Sequence, residues 1–121
     1  MAQILVVDDS AAIRNEVSSF LSENGFTVDT AVDGADGLNK AREATDLKLI
    51  LSDINMPNVD GLTMVEKIRD ELGNKTVNIL MLTTDNDPNM KARGKAAGVK
   101  GWIVKPFNGA AALGVIGKLV S

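Results

Sequence analysis

Short apolar runs that alternate with longer segments of helical spacing constrain the fold of this chain more than any other feature. The first run is Ile4 to Val7, and similar runs occur at 49–51, 79–82 and 102–104. A continuous apolar run is typical of a strand buried on both faces of a sheet. Apolar residues three and four positions apart are typical of a helix with one buried face. The alternation therefore predicts an α/β protein, a parallel sheet with crossover helices.

Five strand-helix units are predicted. The strands are expected at 4–7, 27–31, 49–51, 79–82 and 102–104, and the helices between 10 and 25 and at about 35–44, 62–72, 88–97 and 109–120. Either Ser10 or Asp9 is suited to cap the first helix, and Asp87 and Asn108 are suited to cap the last two. The strand at 27–31 is weaker and more polar, which indicates an edge strand.

Length and composition bound the chemistry. The 121 residues suffice for one domain, predicted over 1–121, and 45% apolar with 24% charged residues is ordinary for a soluble globule. The sequence contains no Cys and no His. Thiol nucleophiles, thiolate metal sites and imidazole bases are therefore excluded, and any chemistry depends on carboxylates, hydroxyls, Lys, Arg and the backbone.

Charge is unevenly distributed along the chain. The formal net charge is −3, with net −7 over residues 1–84 and net +4 over residues 85–121. Overall acidity argues against binding to nucleic acid. The apolar runs are too short to cross a bilayer, and no signal segment is evident at the N-terminus. We expect a cytoplasmic protein that binds no membrane.

Polar side chains follow four of the predicted strands. They are Asp8 and Asp9 after the first, Asp53 after the third, Thr83 and Thr84 after the fourth, and Lys105 after the fifth. Parallel strands joined by right-handed crossovers point the same way, so these residues are expected along one edge of the sheet. Three carboxylates there repel one another unless a cation compensates. A hard divalent ion such as Mg²⁺, together with the Lys105 ammonium, meets that need.

Such a site suits phosphoryl transfer. The sequence has no phosphate-binding loop of the GxxxxGK type, so the usual nucleotide-binding arrangement is not expected. A carboxylate is able to act as the nucleophile and form a mixed anhydride with phosphate, while Mg²⁺ and Lys neutralise the phosphoryl oxygens.

These residues together resemble the ordered signature of response-regulator receiver domains. The signature elements are Asp8-Asp9, Asp53 within Ser-Asp-Ile-Asn-Met-Pro-x-x-Asp-Gly, Leu-Thr-Thr at 82–84, and Lys105-Pro106-Phe107. The resemblance covers essentially the whole chain. It implies a doubly wound sheet in the order 2-1-3-4-5 flanked by five helices, the flavodoxin-like and CheY-like fold.

The resemblance also implies residue roles. Asp53 is the expected phosphoacceptor, and Mg²⁺ is expected on Asp9, Asp53 and the backbone carbonyl of Asn55, with Asp8 bound through water. Lys105 is expected to pair with the phosphoryl oxygens. The domain would thus support its own phosphorylation and dephosphorylation without being an enzyme.

The resemblance implies a switch as well. The Thr83 hydroxyl is expected to donate to the phosphoryl group, and the ring of Trp102 is expected to move inward in response, although complete burial of so bulky a ring is not expected. The Lys105-Pro106 peptide is expected to be cis. Asn55 and Asp85 occupy positions that tune hydrolysis of the acyl phosphate, so a short-lived phosphorylated form is expected.

The subtype resembles the chemotaxis branch of single-domain receivers, and no output domain is expected after the last helix. Partners implied by the branch are a histidine kinase of the CheA type, the flagellar switch or a related motility target, and a phosphatase. One alternative is a phosphate sink or phosphorelay intermediate that binds no motor. A second is a carboxylate-based Mg²⁺ phosphatase, although the Asp-x-Asp pair usual in such enzymes is missing.

The sequence allows two interpretations for each of two surfaces. A basic set, defined by Lys91, Arg93, Lys95 and Lys100, is either a solvated helix face or a docking surface for an acidic partner. The Gly and Ala residues of the last helix are interpreted as close packing against the sheet in preference to a dimer interface. We therefore expect a monomer.

Overall fold

Five strands and five helices alternate along the chain as the apolar runs predict. The computed structural model describes residues 3–44, 46–84 and 87–121. The strands are β1 (Ile4–Val7), β2 (Val28–Ala31), β3 (Leu49–Ser52), β4 (Asn78–Thr83) and β5 (Gly101–Val104). The helices are α1 (Ala11–Glu23), α2 (Gly34–Glu43), α3 (Gly61–Asp70), α4 (Pro88–Ala96) and α5 (Gly109–Val120).

All strand pairs are parallel, and the sheet order is β2-β1-β3-β4-β5, which confirms the predicted fold class. Strand β2 lies at an edge, as its polar sequence predicts. Chain order reverses between β1 and β3, where Val7 pairs with Ser52. A crevice at the carboxyl ends of the strands is expected at such a switch point.

The hydrophobic core has two halves because the strands bury both faces. Alternate β1 residues face opposite ways: Leu5 and Val7 pack with the apolar residues of α2 and α3, whereas Ile4 and Val6 pack with those of α1 and α5. The central strands are therefore apolar throughout, as the sequence pattern indicates.

Side-chain caps begin each helix. The cap residues are Ser10, Asp33, Asp60, Asp87 and Asn108, and each accepts a hydrogen bond from a backbone N–H of the first turn. Ser10, and not Asp9, therefore caps α1, which leaves the Asp9 carboxylate available for another role. Helix α3 ends earlier than its apolar spacing predicts, and Gly73 follows it with φ of 66°.

Gly114 and Gly117 of α5 do not pack against the sheet. The interpretation of the glycines of the last helix as close-packing residues is therefore wrong at these two positions. Within the part of the chain that the structure describes, no atom outside the helix itself lies within 4 Å of where a Cβ would stand at either position. Ala112, Ile116 and Val120 make the packing contacts of α5.

No helix among residues 3–44, 46–84 and 87–121 is long and apolar enough to span a membrane.

Candidate functional site

Three carboxylates converge at the switch point of the sheet. Asp8 and Asp9 follow β1, and Asp53 follows β3, and one carboxylate oxygen from each lies within 4.8 Å of the others. The strands set this arrangement, because the Asp53 N–H continues the β1–β3 ladder by donating to the Val7 carbonyl at 2.9 Å. The structure thus brings together the three acids that the sequence placed on one edge.

The three acids differ in exposure and in local hydrogen bonding. Asp8 is buried, and its Oδ1 accepts from the Ser10 N–H at 2.9 Å. Asp53 is also buried, and its Oδ1 accepts from the Ile54 N–H at 2.8 Å. Asp9 is exposed. In each buried acid, Oδ1 therefore accepts from the backbone, and Oδ2 faces the Lys105 ammonium.

Lys105 supplies the positive charge of the site. Its Nζ lies 3.1 Å from Asp8 Oδ2 and 3.4 Å from Asp53 Oδ2, and its side chain is only 16% exposed. Backbone pairing positions it, since the Lys105 N–H donates to the Thr83 carbonyl at 2.9 Å. The Lys105-Pro106 peptide is cis, as expected. The ammonium thus bridges the two buried acids.

Burial and mutual repulsion govern the protonation of the site. Burial raises the pKa of Asp53, and the neighbouring charge of Asp8 raises it further, against the lowering effect of the Ile54 N–H and Lys105. Burial alone would lower the pKa of Lys105, but its hydrogen bond to Asp8 and the charge of Asp53 outweigh burial and raise that pKa. Lys105 therefore stays cationic at neutral pH.

The donor set fits a hard divalent cation. Ligand oxygens around Mg²⁺ stand about 3 to 4.2 Å apart in an octahedron with bonds of about 2.1 Å. One carboxylate oxygen from each of Asp8, Asp9 and Asp53 lies within 4.8 Å of the others, which is close enough for the three acids to share one ion. All are oxygen donors, which Mg²⁺ prefers over nitrogen or sulfur. Asn55 is exposed in the loop two residues after Asp53, and its role as a carbonyl ligand remains a prediction.

The predicted switch residues lie on the neighbouring strands. Thr83 is buried at the end of β4. Trp102 lies in β5 opposite Met81 and is half-buried, as expected, with its indole directly beneath Gly94 of α4. A Cβ at Gly94 would stand 2.7 Å from the ring. Asp85 lies outside the described residues.

Two features that support the site were missed by sequence reasoning. A Cβ at Gly61 would stand 2.0 Å from the Asp53 carbonyl oxygen, so only glycine fits there. Asn58, in the loop after Asp53, donates to Asp33 at 2.7 Å. The Asp-Gly pair at 60–61, which forms part of the family signature, was the available clue to the close backbone approach at Gly61.

The electrostatics of the site predict a pH-dependent effect of Asp53→Asn on stability. In Mg²⁺-free buffer near neutral pH we expect the variant to have a free energy of unfolding higher by about 1 kcal/mol, because it removes a buried charge beside Asp8. The pKa of Asp53 is raised in the folded state, so acidification relieves the wild type of this cost. The advantage should therefore shrink as the pH falls through that raised pKa.

Denaturant unfolding across the range from about pH 7 to about pH 4 measures this difference. Glu16→Gln, on an exposed position of α1, is the matched control and should change stability little at any pH. A constant or absent advantage for Asp53→Asn would contradict the proposed repulsion.

Comparison with known proteins places these observations in a family. A family model described as the response regulator receiver domain matches residues 4–116. The chain is 36% identical over 106 residues to chemotaxis protein CheY1 of Helicobacter pylori, covering 87% of this chain and 86% of that protein.

Two solved structures support the same family assignment. Chemotaxis protein CheY4 of Vibrio cholerae superposes with a TM-score of 0.89 at 44% identity, covering 98% of each chain. A chain of the CheX-CheY-BeF3-Mg²⁺ complex from Borrelia burgdorferi superposes with a TM-score of 0.88 at 26% identity, covering 98% of this chain and 88% of that one.

Proposed function

The chain belongs to the response-regulator receiver family, and on that premise we propose that it is a phosphorylation-gated binding module of chemotaxis signalling with Asp53 as its phosphoacceptor. One observation carries the proposal. The buried Asp53 carboxylate lies 3.4 Å from the Lys105 ammonium, and one of its oxygens lies within 4.8 Å of an oxygen from each of the two acids that follow β1. A nucleophile, a cation and a set of metal ligands thus share one crevice.

The residues divide the work of phosphoryl transfer. One Asp53 oxygen forms a bond to phosphorus while the bond from phosphorus to the donor breaks, and the leaving group keeps the electron pair. Lys105 moves from its carboxylate partners toward the charge on the phosphoryl oxygens. In the hydrolysis that ends the signal, a water oxygen bonds to phosphorus while the bond from phosphorus to Asp53 breaks. Asp53 keeps the electron pair as carboxylate, and the water protons leave on inorganic phosphate or to solvent.

Magnesium is the expected cofactor. We propose Asp9, Asp53 and the Asn55 carbonyl as its ligands, with Asp8 bound through water. When bound, the ion neutralises charge on the acids and on the phosphoryl oxygens. The relative from Borrelia burgdorferi was solved with Mg²⁺ and BeF3, which supports the same chemistry here.

We propose Thr83 and Trp102 as the switch. Thr83 ends the strand next to β5, and its carbonyl already holds the Lys105 N–H at 2.9 Å. A phosphoryl group on Asp53 attracts both the Thr83 hydroxyl and Lys105. Trp102 lies in β5, which pairs with β4. We therefore expect its ring to move when Thr83 moves, and so to change the surface formed by α4 and β5.

The partners follow from the family. We propose a histidine kinase of the CheA type as phosphodonor and a flagellar-switch or other motility protein as target. We also propose a phosphatase as a third partner, as the resemblance to the chemotaxis branch implies. The solved complex of CheX with CheY shows that a relative binds a further protein. A phosphate sink or relay would show no gain in affinity for a motility protein on phosphorylation, which distinguishes that alternative.

Fewer residues of the basic set are available to a partner than the sequence indicates. Arg93 is occupied in an ion pair, its Nη2 lying 2.7 Å from Glu66 Oε1. The remaining members, Lys91, Lys95 and Lys100, are exposed. These three lysines, and not Arg93, are therefore the residues we propose to contact an acidic target.

Reversing charge at Lys91 and Lys95 is expected to weaken target binding by roughly tenfold or more, because like charges then face the acidic partner. Phosphorylation of Asp53 should be unchanged. Binding to the motility target is measured by titration at two salt concentrations, with Lys48→Glu, an exposed lysine outside this set, as the control. Equal affinity for variant and wild type would remove these lysines from the interface.

The central test is incubation with acetyl phosphate and Mg²⁺ followed by intact mass and Trp102 fluorescence. Wild type should gain one phosphoryl group and change its fluorescence, and Asp53→Asn should do neither. Chelation of Mg²⁺ should abolish the gain. A wild type that acquires no phosphoryl group under these conditions would refute the assignment.

A further inference from the structure

The loop that carries Asp53 into α3 is fastened to the start of α2. Residues 53–60 form this loop, and two hydrogen bonds cross from it to the neighbouring helix. The Gly34 N–H donates to the Val59 carbonyl at 3.0 Å, and Asn58 Nδ2 donates to Asp33 Oδ2 at 2.7 Å. Asp33 and Asn58 lie 25 positions apart in sequence, so this tie is tertiary and joins two separate strand-helix units.

Asp33 uses its two oxygens for different purposes. Oδ1 caps α2 by accepting from the Asp36 N–H at 2.8 Å, and Oδ2 accepts from Asn58. Those hydrogen bonds lower the pKa of Asp33, with the Asp36 N–H as the largest cause, so the carboxylate stays ionised at neutral pH. One charged side chain thus holds both the helix terminus and the loop.

The loop backbone is shaped for this contact. Asn58 has φ of 68°, the left-handed region that Asn tolerates better than most residues. A Cβ at Gly34 would stand 2.1 Å from the Val59 carbonyl oxygen, so glycine permits the close approach. The local sequence on both sides is therefore adapted to bring the loop and α2 together.

The tie holds the middle of the loop, and separate backbone hydrogen bonds hold its two ends. At the first end Asp53 is bound to Val7, and at the last end the Gly61 N–H donates to the Ile54 carbonyl at 2.8 Å. Asn55 lies between these anchors and the tie. The path of the loop through Asn55 is therefore set from two directions.

We infer that Asp33 and Asn58 are positioning residues, which hold the loop so that its backbone meets a divalent cation bound by the acidic cluster. The inference rests on the proposed function, because that function supplies the cation and the Asn55 carbonyl as its ligand. Groups that orient metal ligands from outside typically change metal affinity by roughly 10- to 100-fold. This tie acts on the ligand indirectly, through the backbone between Asn55 and Asn58, so we expect an effect at or below the lower end of that range.

Three variants distinguish the hydrogen bond between Asp33 and Asn58 from the other roles of these residues, which are the cap of α2 and the left-handed backbone of the loop. Asn58→Gly keeps the left-handed backbone without steric cost and removes the amide. Asp33→Ser keeps a helix cap but is too short to reach the loop. Asp33→Asn keeps the cap and restores the tie once the Asn58 amide turns to accept from it.

The measurement is the dissociation constant for Mg²⁺ alone, by calorimetric titration of the unphosphorylated protein. Asn58→Gly and Asp33→Ser should each weaken Mg²⁺ binding by roughly three- to tenfold, and Asp33→Asn should stay within about twofold of wild type. The Asp33→Ser/Asn58→Gly double variant should be no weaker than the worse single variant, because both changes break one contact. Asn24→Gly is the control, because Asn24 follows the C-terminal end of α1 and the acidic cluster lies at the other end of that helix.

Unfolding in chelator provides the second readout. Variants that lose stability in chelator while keeping the wild-type Mg²⁺ affinity would overturn the inference, since the tie would then be structural only. Additive losses in the double variant would overturn it too. If wild type is phosphorylated on Asp53 and these affinities do not move, this inference alone fails; if wild type binds no Mg²⁺, the proposed function fails with it.

Discussion

Replacing Lys105 with Met is expected to lower the free energy of unfolding by about 3 kcal/mol in Mg²⁺-free buffer. Methionine keeps most of the aliphatic packing of the side chain, so the loss reports the ammonium. Without it, the Oδ2 atoms of Asp8 and Asp53 lose the cation that lies 3.1 and 3.4 Å away. Asp8 is buried, and an unpaired buried carboxylate is costly.

Addition of Mg²⁺ should restore part of that stability, because a divalent ion among the same acids replaces the missing charge. It should restore more stability to Lys105→Met than it adds to wild type. Adding Asp8→Asn to Lys105→Met should also recover stability, since one of the two unpaired charges is removed. Denaturant unfolding with and without Mg²⁺ measures these differences, with the exposed Lys48→Met as control.

Added Mg²⁺ should restore the stability of Lys105→Met in part but should not restore its rate of phosphorylation. Lys105→Met is expected to slow the gain of a phosphoryl group from acetyl phosphate by roughly 100-fold, even where Mg²⁺ has restored the fold, because the ammonium also stabilises the transferring group. A variant as stable as wild type in chelator would contradict the account of the site as a charge balance centred on Lys105.

The features that sequence reasoning predicted well depend on strong local patterns. Runs such as Ile4 to Val7 have few alternatives to a buried strand, and Asp87-Pro88 begins a helix for reasons of cap chemistry and fixed φ. Because parallel strands joined by right-handed crossovers point the same way, the sequence alone predicts Asp8, Asp53 and Lys105 on one edge of the sheet. Strand order depended on family resemblance and not on these patterns.

The features that were missed are tertiary contacts between residues distant in sequence. Nothing local to Asn58 indicates that it donates to Asp33, and nothing local to Arg93 indicates its ion pair with Glu66. The packing of Gly114 was also misjudged. A glycine in a helix signals either close approach or mere tolerance, and only its neighbours in space distinguish the two.

Replacing each of two glycines with alanine distinguishes these cases. Gly61→Ala is expected to lower the free energy of unfolding by about 3 kcal/mol or more. Gly114→Ala is expected to raise it by about 0.5 to 1 kcal/mol. A Cβ at Gly61 would collide with the Asp53 carbonyl oxygen at 2.0 Å, and backbone cannot give way as a flexible side chain does. At Gly114 the added methyl group meets open space and only improves helix propensity.

The collision at Gly61 should also displace the phosphoacceptor. The Gly61 N–H donates to the Ile54 carbonyl at 2.8 Å, so moving α3 away to admit a methyl group pulls on the peptide next to Asp53. We therefore expect Gly61→Ala to lose most phosphorylation by acetyl phosphate and Gly114→Ala to retain it. Unfolding and intact mass together measure both effects. A Gly61→Ala protein with wild-type stability and phosphorylation would show that the Asp53 loop is not held against α3 as the structure describes.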